Sequence, residues 1–156
     1  MSDLKEECAR LTSLASRGEN PKARKELESA LASKWEGVQI TGARALVRWG
    51  DDRSLELVKA LVGRLSNESR RTSTLWTLSR VLGPHLHSAD AAWVVELYLH
   101  RSNRHVRVAL KSLFISLPKE DIRAAVERLV AGAGVDPRQA SELLREIGFG
   151  VYESGL

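Results

Sequence analysis

The chain has 156 residues, of which 43% are hydrophobic, and a formal net charge of +4. This length and composition fit a single domain, residues 1–156, with a continuous core. There is no uncharged apolar run of about 18 residues, and the amino terminus, MSDLKEECARL, carries acids where a signal peptide needs a basic and then an apolar segment. We therefore expect a cytoplasmic protein without a membrane span.

The single cysteine, Cys8, rules out a disulfide or a thiolate metal cluster within this chain. We expect Cys8 to be a buried thiol on the first helix rather than a catalytic nucleophile, because no histidine lies near it in the sequence.

Apolar periodicity and capping signals predict nine helices and little or no sheet. Asn20 before Pro21, and Asp136 before Pro137, indicate N-caps followed by proline at the first helical position. Five glycines follow apolar-periodic runs and are expected to end helices in the left-handed conformation: Gly18, Gly50, Gly83, Gly132 and Gly148. The predicted helices lie near residues 3–17, 21–34, 38–49, 53–66, 69–82, 89–101, 103–117, 119–131 and 137–147.

A two-helix pattern recurs with a period in the low to middle thirties, which is typical of stacked helix pairs. The apolar set Val58, Leu61 and Val62 falls, after a shift of 36 residues, on Val94, Leu97 and Tyr98, and after a further 32 on Val126, Leu129 and Val130. The preceding helices align through Ala45 and Trp49, then Leu78 and Leu82 at a shift of 33, then Leu113 and Leu117 at a shift of 35.

Three segments resemble HEAT repeats of the type found in relatives of chromophore lyases: VQITGARALVRWGDDRSLELVKALVGRL, SRRTSTLWTLSRVLG and HVRVALKSLFISLPKEDIRAAVERLV. Trp49, Gly50 and Asp51 match the end of that family's first helix, and Val106 and Arg107 match its beginning. Leu117 departs from the pattern, because it runs directly into Pro118 without Gly-Asp, and residues 85–87 lengthen the middle turn.

The resemblance, over roughly residues 20–148, implies an all-α fold: a short right-handed α-α superhelix of about four helix pairs plus a terminal helix. Residues 1–34 would form an amino-terminal helical cap, residues 35–132 the core repeats, and residues 133–156 a carboxyl-terminal cap and tail. Within the tail we expect Phe149, Val151 and Tyr152 to fold back over the last helix pair. Family members include scaffolds, adaptors and a few DNA-repair glycosylases.

The first helices of three successive predicted pairs carry basic residues and no carboxylate, whereas the second helices carry both charges. Residues 69–117 contain seven basic residues and two acids. Such a stripe suits either an acidic protein surface or nucleic-acid phosphates. The candidate contact residues are Arg44, Arg48, Arg70, Arg80, Arg104, Arg107, Lys111 and Trp35.

The basic residues also have a structural interpretation. Arg71 and Arg107 lie where HEAT-like repeats pair an arginine with a turn carboxylate of the neighbouring repeat, and in this interpretation the other basic side chains would be ordinary solvated surface. Trp49, Trp76 and Trp93 lie on faces that look apolar and are expected in the core, which leaves Trp35 as the best exposed aromatic.

Enzyme chemistry has little support. His85 and His87 could share a metal ion with a third ligand such as Asp90, but these are weak candidates. No carboxylate pair or serine nucleophile accompanies His100 and His105.

We therefore expect a non-enzymatic adaptor, without cofactor or metal, that binds an acidic protein surface. A bacterial scaffold and a toxin-neutralising partner are two such roles. The alternative is sequence-independent nucleic-acid binding along the same stripe, and a small lyase-like enzyme ranks third.

Overall fold

The structure, a computed structural model, describes residues 2–18, 20–68, 71–100, 103–132 and 135–146. In this part of the chain it contains nine α-helices, three short 3-10 turns and no strand. The α-helices are α1 (Ser2–Ser16), α2 (Pro21–Ala30), α3 (Glu36–Trp49), α4 (Asp52–Ser66), α5 (Thr72–Leu82), α6 (Ala91–Leu99), α7 (Arg104–Leu110), α8 (Lys119–Ala131) and α9 (Pro137–Glu146). The 3-10 turns are Gly83–His85, Ser88–Asp90 and Lys111–Phe114.

Side-chain caps fix where several of these helices begin. The Asn20 side chain accepts a hydrogen bond from the Ala23 N–H, and Asp51 accepts one from the Ser54 N–H. Asn103 caps α7 in the same way through the N–H groups of His105 and Val106. These bonds satisfy amides that the first helical turn leaves unpaired.

The four described glycines lie at helix ends, as predicted, but only two of them adopt the predicted left-handed conformation. Gly18 and Gly50 have φ angles of 94° and 69°, in the left-handed region. Gly83 and Gly132 have right-handed φ angles of −48° and −77°. Gly83 is required for space instead, because a Cβ there would lie 2.2 Å from the carbonyl oxygen of Ser112. Gly148 lies outside the described residues.

The repeated apolar positions form the core. Val58, Leu61 and Val62 are buried, as are their counterparts on α6. Of the three counterparts on α8, Val126 is buried, while Leu129 and Val130 pack against the core as partly buried residues. Leu78 and Leu82 of α5 are buried, as are Leu113 of the 3-10 turn after α7 and Leu117, which follows that turn.

Helices that are close in the chain pack on one another. The odd-numbered helices are in contact in chain order, α1 with α3, α3 with α5 and α5 with α7, and each of α2 and α4 contacts the odd helices on both sides of it. Helix α6 packs on α8, and α9 packs on α8. The predicted helix over 103–117 is shorter in the structure, because α7 tightens into the 3-10 turn Lys111–Phe114 before Pro118.

Candidate functional site

Four arginines lie on the solvent side of three successive odd-numbered helices. Arg44 and Arg48 are on α3, Arg80 is on α5 and Arg104 is on α7, and all four are exposed. None of them forms an ion pair with a carboxylate of the described residues. We call the exposed face of α3, α5 and α7 that carries these arginines, together with Trp76, Val108 and Lys111, the odd-helix surface.

The two other basic residues of α7 and its 3-10 extension face α9. Lys111 forms an ion pair with Glu146, with 3.4 Å between Nζ and Oε2, and Arg107 is half-buried beside the same pocket. Arg70, the remaining basic candidate, lies outside the described residues. The predicted stripe is therefore divided between four arginines that have no carboxylate partner among the described residues and two basic residues directed toward the last helix.

An apolar groove lies at the centre of the odd-helix surface, between α5 and α7. Trp76 is 48% exposed and Val108 is 47% exposed, and both line this cavity of about 460 Å³. Arg104 and His105 also line the groove. The Arg80 guanidinium lies 5.1 Å from the centre of the Trp76 ring, a geometry that favours a cation–π interaction. The groove thus combines apolar area with positive charge.

The prediction that Trp76 belongs to the core is wrong. The buried stripe of α5 consists of Leu75, Leu78, Ser79 and Leu82, and Trp76 lies to one side of it. Trp49 and Trp93 are partly buried against the core, close to the expectation for them.

Trp35 is also 48% exposed, as expected, but it lies in a different groove. That cavity, of about 750 Å³, lies between α1 and α2 and is lined by Leu4, Lys22 and Ser29 among others. Lys34 lies 5.2 Å from the centre of the Trp35 ring. The structure therefore separates Trp35 from the groove that contains Trp76.

Other cations hold neighbouring helices together. Arg24 of α2 forms an ion pair with Asp51 at 2.9 Å, donates to the Ser54 hydroxyl and lies 5.4 Å from the centre of the Trp49 ring. Lys59 of α4 repeats this arrangement with Asp90 and the Trp93 ring.

Sequence reasoning missed both Arg24 and Lys59. It did identify Arg71, whose guanidinium lies 3.7 Å from the Glu36 carboxylate and donates to the carbonyl of Lys34 at 3.0 Å. The sequence did contain a signal for Arg24 and Lys59, because one aspartate directly precedes α4 and another directly precedes α6. A partly buried carboxylate of this kind requires a nearby cation.

Asp51 has the most clearly shifted acid pKa at these contacts. The hydrogen bond from the Ser54 hydroxyl lowers its pKa most, the Arg24 guanidinium lowers it further, and together they outweigh the opposing effect of burial, so that the pKa falls from 3.8 to about 2. Asp51 is therefore ionised at neutral pH, and its contact with Arg24 joins α2 to the start of α4.

The histidine pair gains no third ligand. His85 and His87 are exposed, and the Asp90 carboxylate is already engaged by the His87 N–H at 2.8 Å and by Lys59. No group of three or more His, Cys, Asp or Glu residues in the described part of the chain could hold a metal ion.

The structure also bears on the predictions for Cys8 and for a membrane span. Cys8 is only partly buried, contrary to the expectation of a buried thiol. None of the described helices is long and apolar enough to cross a membrane.

Comparisons of the chain with protein-family models, with curated proteins and with solved structures give no match. The HEAT resemblance therefore stays a prediction drawn from residue patterns.

Proposed function

We propose that the nine helices form a short α-solenoid of HEAT-like pairs, with the odd-numbered helices in one layer and the even-numbered helices in the other. The directions of neighbouring helices support this arrangement. The start of α5 shares a groove with the start of α7, and the end of α5, at Gly83, approaches Ser112 just after α7, so the two helices run in the same direction. Parallel helices within a layer are what a stacked repeat produces.

The same direction recurs elsewhere. The first half of α3 approaches α1 at Cys8, beside Gly37, and its last residue, Trp49, donates to the carbonyl of Ala15 at 3.4 Å. In the other layer Arg24 meets the beginning of α4, and Arg64 near its end reaches the carbonyl of Leu31. We propose that these contacts are the repeated joints of the solenoid.

We infer that the chain is a non-enzymatic protein-binding module whose odd-helix surface takes an acidic surface of a partner protein. The observation that carries this proposal is the groove of Trp76 and Val108, whose two large apolar side chains stay half exposed next to arginines that pair with no described carboxylate. Protein interfaces have this anatomy, with an apolar centre, a polar rim and energetically dominant tryptophan and arginine residues.

The distribution of acids supports a negatively charged partner. Helices α5 and α7 contain no carboxylate, and the only one on α3 is Glu36, at its first residue. Like charges at Arg44 and Arg48, one helical turn apart, are mildly unfavourable in the free chain. An acidic partner would relieve that repulsion and steer association through long-range attraction.

Nucleic acid is the second candidate, and the exposed Trp76 ring is the observation that favours it, because bases stack on exposed aromatic rings along basic surfaces. The protein partner is preferred since Arg80 already covers one side of that ring and the groove beside it is lined mainly by apolar groups.

The two tryptophans of equal exposure provide a matched test. Three forms of the chain are immobilised: wild type, Trp76→Ala and Trp35→Ala. Each is exposed to a nuclease-treated lysate of the cells that naturally contain the chain, and the bound proteins are quantified by mass spectrometry. We expect a protein that wild type and Trp35→Ala retain and that Trp76→Ala loses. If Trp76→Ala retains the same proteins as wild type, the proposal is contradicted.

A gel shift with single-stranded and duplex DNA at low salt separates the two candidates. Affinity that falls log-linearly with salt and depends on Arg44, Arg48 and Arg104 would assign the surface to nucleic acid.

A further inference from the structure

A second cavity lies on the opposite side of α7 from the Trp76 groove. It has a volume of about 340 Å³ and lies between α7 and α9, a size in the range of sites that hold small molecules or parts of a peptide. Basic side chains line its α7 side and acids line its α9 side, with Tyr98 between them. The charged lining residues are Arg104, Arg107, Lys111, Glu142 and Glu146.

The two cavities share part of α7. Arg104 and Val108 line both of them, so these two residues form the ridge that a bound segment would have to cross. Val108 stands half exposed on this ridge. The odd-helix surface is therefore continuous from the Trp76 groove, over α7, into the second cavity.

Within the second cavity, Arg104 is the basic residue left for a ligand. Glu146 accepts a hydrogen bond from the Tyr98 hydroxyl at 2.9 Å and pairs with Lys111, so both of these groups are engaged with α9. Arg104 is exposed and forms no ion pair with the described residues, although Glu142 lines the same cavity.

The distance between the cavities sets the length of a segment that would fill both. Packed helices lie about 8–10 Å apart, so grooves on the two sides of one helix have a similar separation. An extended chain advances about 3.3 Å per residue. About three residues would therefore connect a side chain in one cavity to a side chain in the other.

We propose that the partner contributes an extended segment that crosses α7, with a large apolar side chain in the Trp76 groove and an Asp or Glu about three residues away that pairs with Arg104. This inference rests on the proposed protein-binding function and specifies the chemistry of the partner. Charge complementarity at Arg104 sets the position of the acid, and the Trp76 groove sets the position of the large apolar side chain.

A phage-displayed library of random dodecapeptides, selected on the full chain, tests this arrangement. Selections run in parallel on wild type, Trp76→Ala, Arg104→Gln and Glu142→Gln, followed by fluorescence polarisation with the best labelled peptide. We expect wild-type selections to enrich an apolar residue and an acid at a spacing of about three.

The variants should then separate the two contacts. Arg104→Gln should weaken the chosen peptide about tenfold, the size of one hydrogen bond to a charged group, and Trp76→Ala about thirtyfold, as for an interface hot spot. Glu142→Gln is the matched control in the same cavity, and it should leave the affinity unchanged or improve it.

Enriched peptides that need Trp76 but show no fixed spacing to an acid, or that bind Arg104→Gln as well as wild type, would overturn the inference while leaving the protein-binding proposal intact. If no peptide is enriched on wild type over Trp76→Ala, the inference of an extended segment fails, and the retention experiment with Trp76→Ala and Trp35→Ala decides the protein-binding proposal separately.

Discussion

Replacement of Gly83 by alanine should destabilise the protein, although alanine is the better helix former. The added Cβ would lie 2.2 Å from the Ser112 carbonyl oxygen and 3.2 Å from Cγ2 of Ile115. The first contact is with backbone, so the end of α5 and the turn after α7 must move apart by about 1 Å to relieve it. Overpacking of this kind costs about 1–3 kcal/mol, and we expect a net loss of about 2 kcal/mol.

Gly63→Ala provides the matched control. Gly63 lies inside α4, and a Cβ there would have no other atom within 4 Å. Helix propensity alone should then stabilise this variant by about 0.5–1 kcal/mol.

Urea unfolding followed by circular dichroism measures both changes, and thermal unfolding should show a decrease of about 4–8 °C for Gly83→Ala. If the two variants shift stability in the same direction, the close approach of α5 to the turn after α7 is wrong.

Three further substitutions test charge, burial and exposure. Asp51→Asn should cost about 1 kcal/mol at pH 7, after discounting for solvent screening. Because the pKa of Asp51 falls from 3.8 to about 2 on folding, the difference in stability from wild type in urea unfolding should narrow as the pH drops below about 4, and it should be lost only when the pH falls below the folded-state pKa. Ser79→Ala should be neutral or stabilising by calorimetry, because the buried Ser79 hydroxyl has no hydrogen-bond partner among the residues that the structure describes. Trp76→Ala should cost less than about 1.5 kcal/mol, whereas Leu78→Ala, fully buried on the same helix, should cost about 2–5 kcal/mol in chemical unfolding. Equal losses for these last two would place Trp76 in the core.

Helix positions and the inward-facing residues were accessible from the sequence. Each helix carries its own period of apolar residues and its own caps, so Asn20 and Val58 could be assigned from neighbours a few residues away. These signals come from residues that are close together in the chain, so a single sequence is enough to detect them.

The candidate site was accessible only in part. The exposed arginines of α3, α5 and α7 followed from charge patterning, but the groove between Trp76 and Val108 joins residues that are far apart in the chain. Hydrophobicity alone assigned Trp76 to the core, because tryptophan buries a large apolar area when a neighbouring helix covers it. On α5 no described helix fully covers that position.

The sequence by itself therefore determined the positions of the described helices, several of their caps and the near absence of carboxylates from α3, α5 and α7, since each of these depends on residue types and spacing within one helix. Tertiary structure decided which charges are satisfied and which apolar side chains stay exposed. Arg24 forms an ion pair with Asp51, and Lys111 forms one with Glu146, whereas Arg104 pairs with no described carboxylate. That difference depends on which helices pack side by side, and no periodicity within a single helix specifies it.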